Sequence, residues 1–133
     1  MEFRSSEAIY LQIVDYVSDK ILLQRWLPET KMPSVRDLAV TLEVNPNTVM
    51  RSYEHLQNAD IIYNKRGVGV FVAENAIKKI KALRKKQFLE KDLPLVFKNM
   101  YVLGIELKEI QDIYEKFQPE SYLKDENKDH EKE

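Results

Sequence analysis

Asn45, Asn47, Thr48 and Arg51 place two amides, a hydroxyl and a guanidinium within the short stretch VNPNTVMR. An Asn amide can pair with the N6/N7 edge of adenine and an Arg fork with guanine O6/N7, while Thr can meet a thymine methyl or a phosphate. The chemistry open to this set is recognition by hydrogen bonding, with no bond made or broken. Arg36 upstream, and Lys65 and Arg66 beside Gly67 downstream, supply cations suited to phosphate oxygens or a minor groove. Ser34 and Arg36 stand where a helix begins, and a helix start already attracts anions. Groups that do catalysis are scarce. There is no cysteine, and the two histidines are His55 and His130. No glycine-rich phosphate loop or metal-spaced cluster appears, and no two carboxylates are set apart as acid and base. The residues therefore imply a protein that is not an enzyme and needs no cofactor or metal. His55 reads as a bystander or a helper at a binding surface.

Periodicity shows what must hold these groups. Ser5–Gln24 reads as a first helix with Ile9, Ile13, Val17 and Ile21 along one face, capped by Ser5 or Ser6. The loop RWLPETKMP follows. Ser34 with Asp37 three residues on resembles a capping box opening a short helix, Val35–Leu42. After a turn at Glu43–Asn45, Asn45 caps a third helix running to about Ala59. Pro46 falls at its first position, where the missing N–H costs nothing and the fixed φ suits the helix. Taking 100° per residue, Val49, Tyr53 and Leu56 face inward, and Asn47, Arg51, Glu54 and Asn58 face outward. Two helices joined by so short a turn make a helix-turn-helix. IIYN and VFVA, separated by KRGVG, read as a hairpin, and a hairpin in this place is a wing. Gly67 and Gly69 are expected to hold φ > 0.

An outward polar face is also what any solvated helix presents. The weight lies in three signals met in order: Arg36, the face bearing Asn47 and Arg51, and the cationic hairpin tip. The fold class expected is mainly α with a small β wing, a winged helix-turn-helix domain followed by a C-terminal α-helical region. The boundaries are 1–74 for the winged domain, 75–118 for the helical region and 119–133 for a charged tail expected to be disordered. In the helical region Leu93, Val96, Phe97, Met100, Tyr101, Ile110, Ile113, Tyr114 and Phe117 form apolar faces that a second copy, or the chain's own winged domain, could cover. Pro94 is expected to kink or divide the long helix carrying the first of them.

Net charge is −1, so any nucleic-acid affinity must come from placed charges. One segment does concentrate charge: from Ala76 to Lys91 seven cations stand against Glu90, a net +6. That stretch could flank DNA or be a solvated basic face. No apolar run approaches a membrane span, and MEFRSSEAIY is not a signal peptide, so a cytoplasmic protein is expected.

The stretch MPSVRDLAVTLEVNPNTVMRSYEHLQNADIIYNKRGVGVFV, with AIYLQIVDYVSDKIL before it, resembles the GntR family of bacterial transcription regulators over Ala8–Val72. The short remainder is similar to the YtrA subfamily, whose two-helix tail serves dimerisation. The resemblance implies that Ser34 and Arg36 meet DNA at the second helix. It implies that Asn45, Asn47, Thr48 and Arg51 form the contacting segment of the recognition helix, and that Arg66 and Gly67 form the wing tip. It further implies a homodimeric repressor on a two-fold symmetric operator of double-stranded DNA, controlling a transporter operon. The sequence marks no pocket for a small effector. Arg25, Glu29, Glu43 and Asp60 stand where the family usually has glycine, and a left-handed conformation at each would cost on the order of 1 kcal/mol. The competing reading is a winged-helix module that binds protein and no longer reads DNA.

Overall fold

The structure, a computed structural model, describes residues 1–3 and 7–120. Ser5, Ser6, His130 and the charged tail from Ser121 on lie outside the described residues. Two compact units divide between Lys86 and Gln87.

In the first unit α1 spans Ile9–Leu22, α2 Val35–Leu42 and α3 Pro46–Asn58. Helix α1 starts later than its periodicity suggests. Ala8 is its N-cap and offers no side-chain acceptor, while the buried Gln12 reaches back, its Nε2 donating to Glu7 O at 2.8 Å. Ile9, the first helical residue, is consequently 45% exposed rather than part of the core face. Helix α2 opens as expected, the Ser34 hydroxyl accepting from the Asp37 N–H at 3.0 Å. Helix α3 opens with the Asn45 Oδ1 accepting from the Asn47 N–H at 2.8 Å and Pro46 in the first turn.

All three helices end alike. The N–H groups of Arg25, Val44 and Ile61 reach back to the carbonyls of Lys20, Ala39 and Leu56, the six-to-one bond of the Schellman motif. Such an end needs a left-handed residue just before the donor, and these are Gln24 (φ 58°), Glu43 (φ 56°) and Asp60 (φ 58°). Glu29 is left-handed as well, at φ 64°. Three of the four expected positions hold; at the end of α1 the special residue is Gln24, one before Arg25.

Strands β1 (Ile62–Lys65) and β2 (Gly69–Val72) pair antiparallel, with Lys65 opposite Gly69. The loop is thus one residue shorter at each end than KRGVG suggests. A third segment, read from sequence as plain loop, extends this ladder. Glu29 N–H donates to Val72 O and Met32 N–H to Val70 O, each at 2.8 Å, and Lys31 bridges Phe71.

The core draws Ile13, Val17 and Ile21 from α1, Leu38 and Leu42 from α2, and Val49, Tyr53 and Leu56 from α3, sealed by Ile62 and Val72 of the wing. Helix α4, Ala76–Gln87, adds Ala76 and Ile80, so it shares this core instead of standing apart with the later helices. Its Arg84 reaches α1, with Nη1 2.7 Å from Asp19 Oδ1 and Nη2 donating to Asp15 O at 3.2 Å.

In the second unit a π-helical segment, Phe88–Asp92, precedes α5, Leu93–Leu103, and α6 spans Leu107–Lys116. Pro94 has no N–H and its ring crowds the carbonyl four residues back. Widening to i→i+5 bonding ahead of it is how this helix accommodates the ring, at a position read from sequence as a kink or break. Gly104, at φ 68°, ends α5, and a reciprocal capping box between Glu106 and Glu109 opens α6. Among the described residues no helix is long and apolar enough to cross a membrane.

Candidate nucleic-acid interface

The outward side of α3 is assembled as its spacing predicts. Asn45, Asn47 and Arg51 are exposed and Thr48 is half-buried. Two of these groups are already engaged. The Asn45 carbonyl oxygen caps α3, which leaves its NH₂ as the free donor. Arg51 lies on Tyr10 of α1, its guanidinium carbon 3.8 Å from the ring centroid. Asn47, Thr48 and Arg51 line one shallow depression together with Ala8, Ile9 and Tyr10. The start of α1 therefore belongs to this surface, which helical periodicity alone did not show. Tyr10 is otherwise an ordinary flank position of α1.

Buried hydroxyls tie α3 to its neighbours. Ser52, fully buried on α3, shares its hydroxyl between Tyr10 O at 2.8 Å and Thr48 O at 3.0 Å. On the inner side, Tyr53 donates its hydroxyl to Pro33 O at 2.7 Å, joining α3 to the residue before the α2 cap. Burial, reinforced by the negative charge of Asp37, pushes the Tyr53 phenol well above its ordinary value. His55, one turn after Arg51, packs edge-to-face with the Tyr10 ring, centroids 6.4 Å apart.

Ser34 and Arg36 are exposed at the opening turn of α2. At the wing, Val68 N–H donates to Lys65 O at 2.9 Å, closing a turn with Arg66 and Gly67 at its centre. Gly67 has φ 78°, and a Cβ there would meet nothing within 4 Å, so backbone freedom alone calls for glycine. Gly69, at φ 143°, is also packed: a Cβ would stand 2.7 Å from the Lys31 Cε. Lys65 belongs to β1, and its ammonium lies 5.9 Å from the Phe71 ring centroid, so Arg66, Gly67 and Val68 form the tip. The wing is tied to the loop before α2 by Tyr63, whose hydroxyl donates to Glu29 Oε2 at 2.7 Å. That bond, more than its slight burial, raises the Tyr63 phenol above its usual range.

Of the basic stretch after the wing, two cations serve the fold. Lys79 donates to Asp60 O at 3.1 Å, and Arg84 is held by Asp15 and Asp19. Lys78, Lys81, Lys85 and Lys86 are exposed on α4. Among the described residues no group of His, Asp or Glu is placed to hold a metal ion.

A two-helix motif whose second helix shows Asn, Thr and Arg to solvent, followed by a hairpin with a cationic tip, defines a DNA-binding transcription regulator of the winged helix-turn-helix class. The family model for bacterial regulatory proteins of the gntR family matches residues 9–72. Over 109 residues the chain is 34% identical to the HTH-type transcriptional repressor YtrA of Bacillus subtilis (strain 168), covering 82% of this chain and 83% of that one. It is 43% identical over 75 residues to the HTH-type transcriptional regulator YhcF of the same organism, a match covering 56% of this chain and 62% of that relative. A solved GntR-family structure from Bacteroides thetaiotaomicron superposes with a TM-score of 0.73 at 52% identity, covering 83% of this chain and 96% of that one. The chain belongs to the GntR family, whose members are regulators of transcription and not enzymes.

Proposed function

We propose that the protein is a homodimeric repressor that binds a two-fold symmetric operator in double-stranded DNA and controls a transporter operon. The observation that carries the DNA-reading part is the exposed face of α3, with Arg51 and Asn47 outward while Val49, Tyr53 and Leu56 are buried. In this reading Asn45, Asn47, Thr48 and Arg51 meet base edges. Ser34, Arg36 and Lys65 meet phosphate, and Arg66 and Gly67 enter the minor groove. Repression is favoured by the likeness to a relative named as a repressor, and a transporter target by the resemblance of the short C-terminal part to the YtrA subfamily.

Dimerisation rests on what α5 and α6 leave open. No residue of either helix is buried; Val96 and Phe97 are 41% and 51% exposed, and Ile113 and Tyr114 are 67% and 76% exposed. Ile110, Ile113, Tyr114 and Phe117 line an apolar groove along α6. Leu93, Met100 and Tyr101 extend the apolar surface on α5. Exposed apolar faces of this kind are what a symmetric partner covers, and two recognition helices one helical turn of DNA apart solve the affinity problem of a single one.

The test is sequencing of the genomic fragments that the purified protein retains at near-physiological salt. An enriched inverted repeat upstream of a transporter operon is the expected result. Enrichment of non-symmetric sites, or none at all with the folded protein, would refute the reading. With the operator in hand, Arg51→Ala should relax base preference at one position of each half-site, whereas Arg66→Ala should weaken all sequences more evenly. Equal effects of both on every sequence would remove the roles given to them.

A further inference from the structure

We propose that Tyr10, at the start of α1, is a positioning residue that holds the Arg51 guanidinium in reading geometry. The inference rests on the reading of Arg51 as a base-contacting residue.

A guanidinium carbon 3.8 Å from a ring centroid places the planar cation against the aromatic face. The contact is with the π face and involves no acceptor atom, so it takes up none of the guanidinium N–H donors. The fork stays available for a bidentate contact while the long side chain has lost most of its rotamers in advance. An arginine on a bare helix face would lose that freedom only on binding.

The platform itself is fixed. Tyr10 presents its carbonyl to Ser52, the residue after Arg51, so the helix carrying the arginine also anchors the backbone that carries the ring. Ser52 is fully buried, which removes water as a competitor for that bond. His55, one turn along the same face of α3, packs against the ring as well, at 63° to it. Gln12, 3% exposed, ties the chain entering α1 through Glu7 O. Tyr10 and Arg51 also share their depression with Asn47 and Thr48, which puts the stack at the reading surface.

The test is parallel in vitro selection from a random duplex DNA library with the wild-type full chain, Tyr10→Leu, Tyr10→Phe, Arg51→Ala and the Tyr10→Leu/Arg51→Ala double variant, with thermal unfolding of each. Affinities for the selected duplex and its single-base substitutions give each preference. Arg51→Ala marks the base position the arginine reads. Tyr10→Leu should lower the preference at that same position by about two- to five-fold, the range of an exposed cation–π contact, and leave the others unchanged. Tyr10→Phe, which keeps the ring face, should match the wild type. Should Tyr10→Leu fail to fold, Tyr10→Gln takes its place.

If Arg51→Ala relaxes one position but Tyr10→Leu leaves it intact, sharpens it, or weakens all positions alike, the role of Tyr10 is overturned and that of Arg51 stands. If Arg51→Ala alters no base preference, the reading role of Arg51 falls and the positioning role falls with it. A loss in Tyr10→Leu that persists undiminished when added to Arg51→Ala would also overturn it, because the two side chains would then be acting independently.

Discussion

Replacing Tyr53 with Phe separates the two jobs its hydroxyl does. At neutral pH the hydroxyl satisfies Pro33 O from a position 2% exposed to solvent. Phe keeps the ring packing but leaves that carbonyl without its donor, which should cost about 1.5 kcal/mol of folding stability. The same burial raises the phenol's pKa above its ordinary value near 10. The folded state therefore holds the Tyr53 proton more tightly than the unfolded chain does. Its contribution to stability is whole below the unfolded pKa and is lost as pH rises from there towards the raised folded value, at up to ~1.4 kcal/mol per pH unit. Phe cannot ionise, and the remaining tyrosines and lysines titrate in both proteins. The wild-type advantage should thus be constant at neutral pH and shrink once the pH passes about 10, with the two stabilities meeting roughly one unit higher. Urea unfolding followed by circular dichroism, on both proteins across that range, measures the difference directly. A difference that stays constant through alkaline pH, or a Phe variant as stable as wild type at neutral pH, would refute the account of Tyr53 as a buried, bonded phenol.

Glu43 sits at φ 56° between α2 and α3. Glu43→Gly relieves a left-handed cost of about 1–2 kcal/mol but makes the unfolded chain freer by about 0.4–1 kcal/mol, so a net gain of roughly 0.5–1 kcal/mol is expected in denaturant unfolding. Asp60→Gly should gain less, since Asp visits that conformation more easily; a loss at either site would mean that backbone strain does not outweigh the added chain freedom. Arg84→Gln should lower global stability by less than about 1 kcal/mol, because its ion pairs are well exposed, yet speed amide exchange in the last turns of α4. Unchanged exchange would mean that the core residues Ala76 and Ile80 hold the helix without help from the ion pairs. Phe97→Asp should shift sedimentation equilibrium towards monomer without loss of helical signal; an unchanged dimer would place the interface elsewhere.

How much of this was readable from sequence depends on how far apart the partners lie. The helix starts at Ser34 and Asn45–Pro46 were legible because cap, proline and first turn sit within a few residues of one another. The wing was legible because Gly67 and Gly69 punctuate two β-prone runs. The extra ladder segment was not, since a single bridge at Lys31 leaves no alternation to count. Nor was the shift from Arg25 to Gln24, because no glycine marks the end of α1. The second unit showed its apolar residues but not the π-helical answer to Pro94.

The polar contacts that shape the site belong to the unreadable part, and together they do something no periodicity expresses. Periodicity says which face of α3 is buried; it does not fix the rotation of the helix about its axis to better than a residue's worth of arc. Three consecutive residues fix it here. Arg51 stacks on Tyr10, Ser52 bonds Tyr10 O, and Tyr53 bonds Pro33 O. Arg51 and Ser52 both meet Tyr10 of α1, while Tyr53 reaches Pro33 before α2, so the contacts hold α3 against two elements. The outward set of Asn47, Thr48 and Arg51 is defined by those contacts as well as by the apolar residues opposite, so a change of the Tyr10 side chain, which leaves its carbonyl on Ser52, should reach the exposed face through Arg51 alone.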